Sequence, residues 1–407
     1  MRRVVYSLVP IFLWSVYLYG WRTIALAAVI FPLGILVEFV MEKSRNKKIS
    51  EAVLVTCALF TLSMPPAVPL WVAAVGIIFG VLFGKEVYGG FGRNIFNPAI
   101  TGRTFTYISF PLMMQTTWML PGMFGIGGVN HQVIGSTWLE AIFMIAVVFG
   151  VYYLIIKNPG NTKLVLRTAI IAVVVTVAFY VISAYAGFRT LGMPWTEVDV
   201  VTSATPLEIM RGLAAQNHWV PKPGWEYLQD NSLINLFLGF RMGSLGEGAI
   251  FLIIGAGIYL LMTKTANWRP MVWTLVSAVG FTALFYYLGS LGARFPQLTV
   301  KPDLGGQISD QLKFAMSGAL IFGAVFMATD PVSAPKKPIA LALYGIIIGS
   351  VTIVIRTFAG FPEGISFAIL TANTFGSLID EILPARKKKA VAGEVSEPAE
   401  PVQGAAK

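Results

Sequence analysis

The stretch Ile339-Ala340-Leu341-Ala342-Leu343-Tyr344-Gly345-Ile346-Ile347-Ile348-Gly349-Ser350-Val351-Thr352-Ile353-Val354-Ile355 carries no charge and is bounded by Lys336-Lys337 on one side and Arg356 on the other. An uncharged apolar run of nearly 20 residues between basic ends has the length and flanks of a membrane-crossing helix. Similar runs recur at 4–19, 23–41, 68–83, 139–156, 164–186, 249–262, 271–288, 314–327 and 365–383. Two shorter pieces, 51–63 and 98–110, are interrupted by Pro or Arg and read as half-helices. The predicted fold is therefore all-α: a polytopic helical bundle of about ten spans plus broken helices.

Composition agrees. The 407 residues are 56% hydrophobic and only 12% charged, against about 25% charged in soluble domains. A net charge of +10 raises the question of nucleic acid. The basic residues instead cluster beside apolar runs, where they act as topology signals, and no nucleic-acid partner is predicted. Lys43, Arg45, Lys47 and Lys48 mark one loop as cytoplasmic. Lys157, Lys163 and Arg167, then Lys264 and Arg269, then Lys336 and Lys337, and finally Arg386 to Lys389 mark others. The first run, from Val4, has no small-x-small cleavage site after it and is kept as a span rather than a signal peptide. Both termini are then cytoplasmic in a bacterial inner membrane. The parts are a first membrane half (1–186), an outward loop (187–232), a second half (233–384) and a tail (385–407) too polar and Pro-rich to order. Asn97-Pro98-Ala99 and Asp330-Pro331-Val332 each sit at a span end, as an inverted internal repeat would place them.

The long polar interruption contains Asp199-Val200-Val201-Thr202-Ser203-Ala204-Thr205-Pro206-Leu207. Pro206 pushes Thr205 toward extended backbone and leaves its hydroxyl reachable. Counting one crossing forward from Lys163, or one back from Lys264, puts this loop outside the cell, on the periplasmic face. On loop chemistry alone the segment is an ordinary turn. The pattern Asp-x-x-Ser/Thr-small-Ala-Thr also resembles the flavinylation site of the NqrB/RnfD family. That family comprises the NqrB subunit of the sodium-pumping NADH:quinone reductase and the RnfD subunit of the Rnf-type oxidoreductase. The resemblance implies that a flavin transferase attaches FMN through its phosphate to Thr205, with Asp199, Thr202, Ser203 and Ala204 as the surrounding motif. Many relatives have Gly at the position of Ser203.

Other stretches bear on the same comparison. Gly84-Lys85-Glu86-Val87-Tyr88-Gly89-Gly90-Phe91-Gly92-Arg93-Asn94-Ile95-Phe96-Asn97-Pro98-Ala99 is dense in glycine, which permits close backbone approach. Read plainly it is a basic cytoplasmic loop. It also resembles a signature near the family's second, non-covalent flavin (riboflavin) and its quinone site, which implies roles for Lys85, Glu86, Gly89, Gly90, Arg93, Asn94 and Asn97. Gly243-Ser244-Leu245-Gly246-Glu247-Gly248 precedes a span and could present free N–H groups to a flavin or phosphate. It looks like the family's Gly-Ser-x-Gly-Glu-Thr-Ser element, with Gly248-Ala249 in place of Thr-Ser. Met327-Ala328-Thr329-Asp330-Pro331-Val332-Ser333-Ala334 and Phe361-Pro362-Glu363-Gly364 match the family in wording and order. Acids near spans are costly and usually functional, so Glu38, Asp330, Glu363 and Asp380 are predicted along a cation route. For Asp330 and Asp380, at span ends, capping or pairing with a nearby base is the alternative.

Absences narrow the chemistry. One Cys (Cys57) and two His (His131, His218) can supply neither an iron–sulfur cluster nor paired haem ligands. Electron transfer here requires an organic cofactor. No phosphate loop and no dinucleotide fingerprint is present, so neither ATP nor NADH is an expected ligand. The resemblance implies one component of a multi-subunit pump. Electrons would come from a periplasmic FMN-bearing partner and pass toward quinone, coupled to Na+. The wording around Lys85 and Asp330 leans to the quinone reductase, whereas Thr205-Pro206-Leu207 and the short N-terminal arm lean to the Rnf complex. A reading from another class, a channel or carrier without redox function, fits the broken helices and glycines equally.

Overall fold

The computed structural model describes residues 1–47, 49–115, 117–118, 167, 233–239, 241, 243–291, 317–359 and 364–383. Among them every regular element is helical and no strand occurs. In chain order these are α1 (Arg2–Tyr19), α2 (Trp21–Ser44), α3 (Ala52–Ser63), α4 (Leu70–Gly84), α5 (Pro98–Ser109) and α6 (Pro111–Gln115). They are followed by α7 (Leu233–Leu238), α8 (Ile250–Met262), α9 (Trp268–Ser290), α10 (Leu320–Phe322), α11 (Pro338–Phe358) and α12 (Ile365–Ile382). A single 3₁₀ turn, Glu86–Tyr88, follows α4, and α10 runs on into a π-helical turn, Gly323–Met327. The expected spans 139–156 and 164–186, the loop 187–232 with its flavinylation motif, Glu363 and the tail lie outside the described residues.

Among the described residues, four segments are long and apolar enough to cross a bilayer: Trp21–Ser44, Leu70–Tyr88, Trp268–Gly289 and Pro338–Phe358. The expected half-helices at 51–63 and 98–110 are the 12-residue helices α3 and α5. The run 314–327, expected to span, is helical among the described residues only over α10 and its π-helical turn, Leu320 to Met327. The run 249–262, also expected to span, is a correction as well. Its helix α8 has 13 residues, about 20 Å at 1.5 Å per residue, short of a hydrocarbon core of about 30 Å. The reason lies in what precedes it. The Gly-rich turn before α8 pairs with the end of α3: Gly246 N–H donates to Leu62 O at 2.6 Å and Leu245 N–H to Met64 O at 3.1 Å. Two half-helices thus meet end to loop, and backbone exposed by stopping them is satisfied inside the protein, as membrane depth requires.

Helices elsewhere approach to backbone contact at glycine. A Cβ on Gly80 of α4 would lie 2.6 Å from Pro98 O and 3.0 Å from Gly102 Cα of α5. One on Gly349 of α11 would lie 2.3 Å from Thr274 O and 2.9 Å from Ala278 N of α9. Small residues at such crossings replace the hydrophobic drive that lipid removes.

The two halves carry matching words. Gly76-Ile77-Ile78-Phe79-Gly80 in α4 answers Gly345-Ile346-Ile347-Ile348-Gly349 in α11, each after a short broken helix. Thr101-Gly102-Arg103-Thr104-Phe105 in α5 answers Thr371-Ala372-Asn373-Thr374-Phe375 in α12. The end of α4, at Lys85, and the residues leading into α11, Asp330 to Val332, line one cavity. Matching helices α4 and α11 therefore run in opposite directions, the arrangement of an inverted repeat. In this matching, however, Asn97-Pro98-Ala99 leads into α5 and Asp330-Pro331-Val332 leads toward α11, so the two Pro turns are not the counterparts expected of them.

Candidate functional site

That cavity is the point where the halves meet. It measures about 220 Å³ and its polar wall includes Lys85, Asn94, Asn97, Thr265, Thr329 and Asp330. Apolar side chains such as Leu59, Leu260 and Phe326 close the rest. The N-terminal residues sit at the same end, because Arg2 pairs with Glu51 and Arg3 Nη1 donates to Thr263 O at 2.7 Å. The N-terminus, the start of α3 and the loop after α8 are thus gathered at one end of the bundle.

Lys85 leaves α4 and turns inward. Its Nζ lies 2.5 Å from Glu38 Oε2, with side-chain exposures of 2% and 0%. Ser50 completes the group: its N–H and hydroxyl donate to Glu38 Oε1 at 2.9 and 2.8 Å, and its oxygen accepts from Lys85 Nζ at 3.0 Å. Both Glu38 oxygens are committed. A buried charge persists in low dielectric only when paired in this way. Glu38, expected on a cation route, is by this geometry the counter-ion of Lys85 instead. Next to it, Arg45 Nη1 donates to Glu86 Oε2 at 2.8 Å and its Nη2 to the Glu86 carbonyl at 2.5 Å. Gly90, at φ +90°, packs so tightly that a Cβ would lie 2.0 Å from Glu42 Oε1.

Across the cavity the two Pro-containing turns interlock. Asn97 Oδ1 accepts from the N–H groups of Ala99 and Ile100 at 3.0 and 3.3 Å, capping α5 with Pro98 in its first turn. Its Nδ2 donates to Asp330 Oδ2 at 3.2 Å, while Asp330 Oδ1 accepts from Val332 N–H at 3.0 Å. Burial pushes the Asp330 carboxyl up, opposed by hydrogen bonds from Val332 and Ser333. Asp380 is elsewhere. Its two oxygens accept from the N–H groups of Lys336 and Lys337 at 2.6 and 2.9 Å, and Lys337 Nζ reaches the Asp380 carbonyl. It clamps the start of α11 to the end of α12 and is removed from the predicted cation route by that commitment. Among the described acids of that prediction, only Asp330 lines the cavity.

The remaining predicted residues divide. Asn94 lines the cavity, its Nδ2 donating to Phe96 O at 3.0 Å. Gly89 and Arg93 lie on the outer side of the loop, where Arg93 is exposed and folds against Gly89. Gly243, Ser244, Gly246 and Glu247 belong to a separate, deeper cluster. Ser244 Oγ accepts from Arg103 Nη2 at 3.1 Å, and the Glu247 carbonyl accepts from Arg241 Nη2 at 2.8 Å. The N–H groups of Leu245, Gly246 and Glu247 are bonded within the protein, so these three are not the free donors expected of the turn. Sequence reasoning misses Arg241 and Arg356. Both are buried, and they donate to the adjacent carbonyls of Gly318 and Ser317 at 3.5 and 3.0 Å. A signal was available, since each is an isolated base set against apolar sequence without the second base that marks a topology loop.

A second flavin near Lys85 and Asn97, implied by the resemblance, does not fit the cavity. Its volume, about 220 Å³, is below the roughly 300–1,000 Å³ of pockets that enclose drug-sized ligands. A hydrated monovalent cation or a single substituted ring is the right size. No group of three or more metal-ligating side chains occurs among the described residues.

Comparison with known proteins gives a consistent answer. The model of the NQR2, RnfD, RnfE family matches residues 1–389. The chain is 29% identical over 386 residues to the D subunit of the ion-translocating oxidoreductase complex of Stutzerimonas stutzeri, covering 94% of this chain and 89% of that protein. It is 32% identical over 365 residues to the B subunit of the Na(+)-translocating NADH-quinone reductase of Chlamydia felis (strain Fe/C-56), covering 83% and 69%. The corresponding D subunit of Actinobacillus succinogenes is 30% identical over 389 residues, covering 93% and 90%.

Proposed function

The chain belongs to the NQR2, RnfD, RnfE family, and from that premise we propose that it is the flavin-carrying membrane subunit of a redox-driven ion pump. Its relatives bear the names of subunits of ion-translocating oxidoreductase complexes, which supports a multi-pass membrane subunit working in such a complex. The finer reading rests on one observation, the motif Asp199-x-x-Thr202-Ser203-Ala204-Thr205 in the longest polar interruption of the chain. FMN esterified to Thr205 would supply the one- and two-electron chemistry that a chain with one Cys and two His cannot supply itself. A flavin transferase loads it on the periplasmic face, and a periplasmic FMN-bearing partner delivers electrons that pass on toward quinone, with Na+ as the ion moved. Riboflavin, as a second carrier, would be seated outside the Lys85–Asp330 cavity.

The chain's own residues would contribute at that cavity. Asp330 offers a carboxylate at the junction of two oppositely directed halves, and its hydrogen bond to Asn97 ties one half to the other. An ion that competes with Asn97 for Asp330 would bind the two arrangements of the halves with different affinity, which is the condition for coupling. The test is in-gel fluorescence of the denatured chain co-expressed with a flavin transferase. A fluorescent band that disappears in Thr205→Ala supports the reading. Absence of fluorescence in every background favours a carrier without redox function. Activity of the purified complex with quinone or ferredoxin, with and without Na+, separates the quinone-reductase reading from the Rnf one.

A further inference from the structure

We propose that the outer face of the loop after α4, with the end of α2, is a binding site for the phosphate of an anionic lipid headgroup. Charge in this corner is sorted by side. The acids Glu38, Glu42 and Glu86 are turned inward and buried, at 0%, 5% and 0% exposure. The bases Lys43, Lys47 and Arg93 face outward. Two of them converge on one glycine. Lys47 Nζ donates to Gly89 O at 3.3 Å, and the Arg93 side chain lies against Gly89, its Cδ 3.1 Å and its Nη1 3.4 Å from where a Cβ would stand. Gly89 adopts φ +106°, a conformation that side-chain-bearing residues rarely take, and its lack of a side chain lets Arg93 lie against the backbone there. Lys43 Nζ sits 5.4 Å above the Phe39 ring on the preceding turn.

Beside these cations the same loop exposes Val87, Phe91 and Ile95 at 59%, 45% and 47%. Large apolar side chains on a charged loop are unfavourable in water. Here the membrane segments Trp21–Ser44 and Leu70–Tyr88 both end at this loop, which sets it at headgroup depth. A diacyl phospholipid matches both features, its phosphate between Lys47 and Arg93 and its acyl chains along the apolar ridge. A purely topological role for the bases would need neither the convergence on Gly89 nor the ridge. The site is independent of the redox reading and stands or falls without it.

The intact complex is reconstituted in nanodiscs of phosphatidylcholine with graded phosphatidylglycerol, and native mass spectrometry counts each retained lipid and each subunit. Removing a surface base is worth about fivefold in anionic-lipid affinity, so Lys47→Gln/Arg93→Gln should retain phosphatidylglycerol about 25-fold more weakly. Lys336→Gln, an exposed base at another loop, should leave retention unchanged. With the wild-type complex, which needs no variant to fold, phosphatidylglycerol retention should fall steeply as KCl is raised while phosphatidylcholine retention does not. Retention that ignores both the double variant and salt overturns the proposal. So does an equal loss of both lipids, or dissociation of a partner subunit from the double variant at constant lipid, which would make this face a protein interface.

Discussion

Neutralising the Lys85–Glu38 pair tests whether the polar wall of the cavity is built as a closed electrostatic unit. Replacing Lys85 with Met leaves Glu38 its two donors from Ser50, so the cost should lie near the lower end, about 3 kcal/mol, for breaking a buried pair. Replacing Glu38 with Leu is worse. It strands an ammonium that is 2% exposed with only the Ser50 oxygen and the Phe91 ring, whose centroid is 5.9 Å away, and should cost about 5 kcal/mol. The double replacement removes both charges. What remains is the Ser50 N–H and hydroxyl without an acceptor, about 1–3 kcal/mol. Additive behaviour would give about 8 kcal/mol, so the cycle predicts a coupling of about 5–7 kcal/mol. SDS titration of the purified chain in mixed micelles, followed by tryptophan fluorescence, measures all four corners. Additivity within about 0.5 kcal/mol would refute the reasoning.

Other outcomes follow from single contacts. Gly349→Ala drives a Cβ to 2.3 Å from Thr274 O, backbone that cannot swing aside, and should lower the temperature at which the chain leaves its monodisperse peak in size-exclusion chromatography. Gly255→Ala on α8 meets nothing within 4 Å and should raise that temperature, by the roughly 0.5–1 kcal/mol that Gly costs inside a helix; the reverse order would contradict the packing. Asn97→Ala loses the cap on α5 and should cost about 1–2 kcal/mol, whereas Asn97→Asp keeps the cap but sets a carboxylate 3.2 Å from Asp330 Oδ2 and should be tolerated only at low pH. Burial holds the Asp330 carboxyl above its ordinary value of 3.8, so the folded chain binds this proton more tightly than the unfolded one. The resulting stability is complete below pH 3.8 and is lost as pH rises through the folded value. Asp330→Asn should flatten that decline, and an unchanged slope in the SDS titration would exclude the contribution.

The long apolar helices were legible because composition alone fixes them: α2, α4, α9 and α11 fall where long apolar runs stand in the sequence. The run 249–262 gave the bounds of α8 almost to the residue; what it did not announce is that the turn before the helix, at Leu245 and Gly246, pairs with the end of α3, so that this short helix starts inside the protein. The meeting of Lys85 with Glu38, and of Asn97 with Asp330 across 233 positions of chain, is long-range packing that no local pattern announces. The inverted repeat did leave a trace, in the pair of Gly-Ile-Ile-x-Gly words at 76–80 and 345–349. Residue type leaves acids at span ends open to two readings, ion ligand or capping and pairing partner. Whether an acid is free is decided by its neighbours, and Asp380 is spent on two backbone N–H groups.

Peptide mass spectrometry of the chain isolated from its own membrane tests the central claim most directly. The account predicts that the peptide containing Thr205 carries the added mass of FMN in phosphoester linkage, localised by fragmentation to that hydroxyl. Recovery of the same peptide wholly unmodified would contradict it.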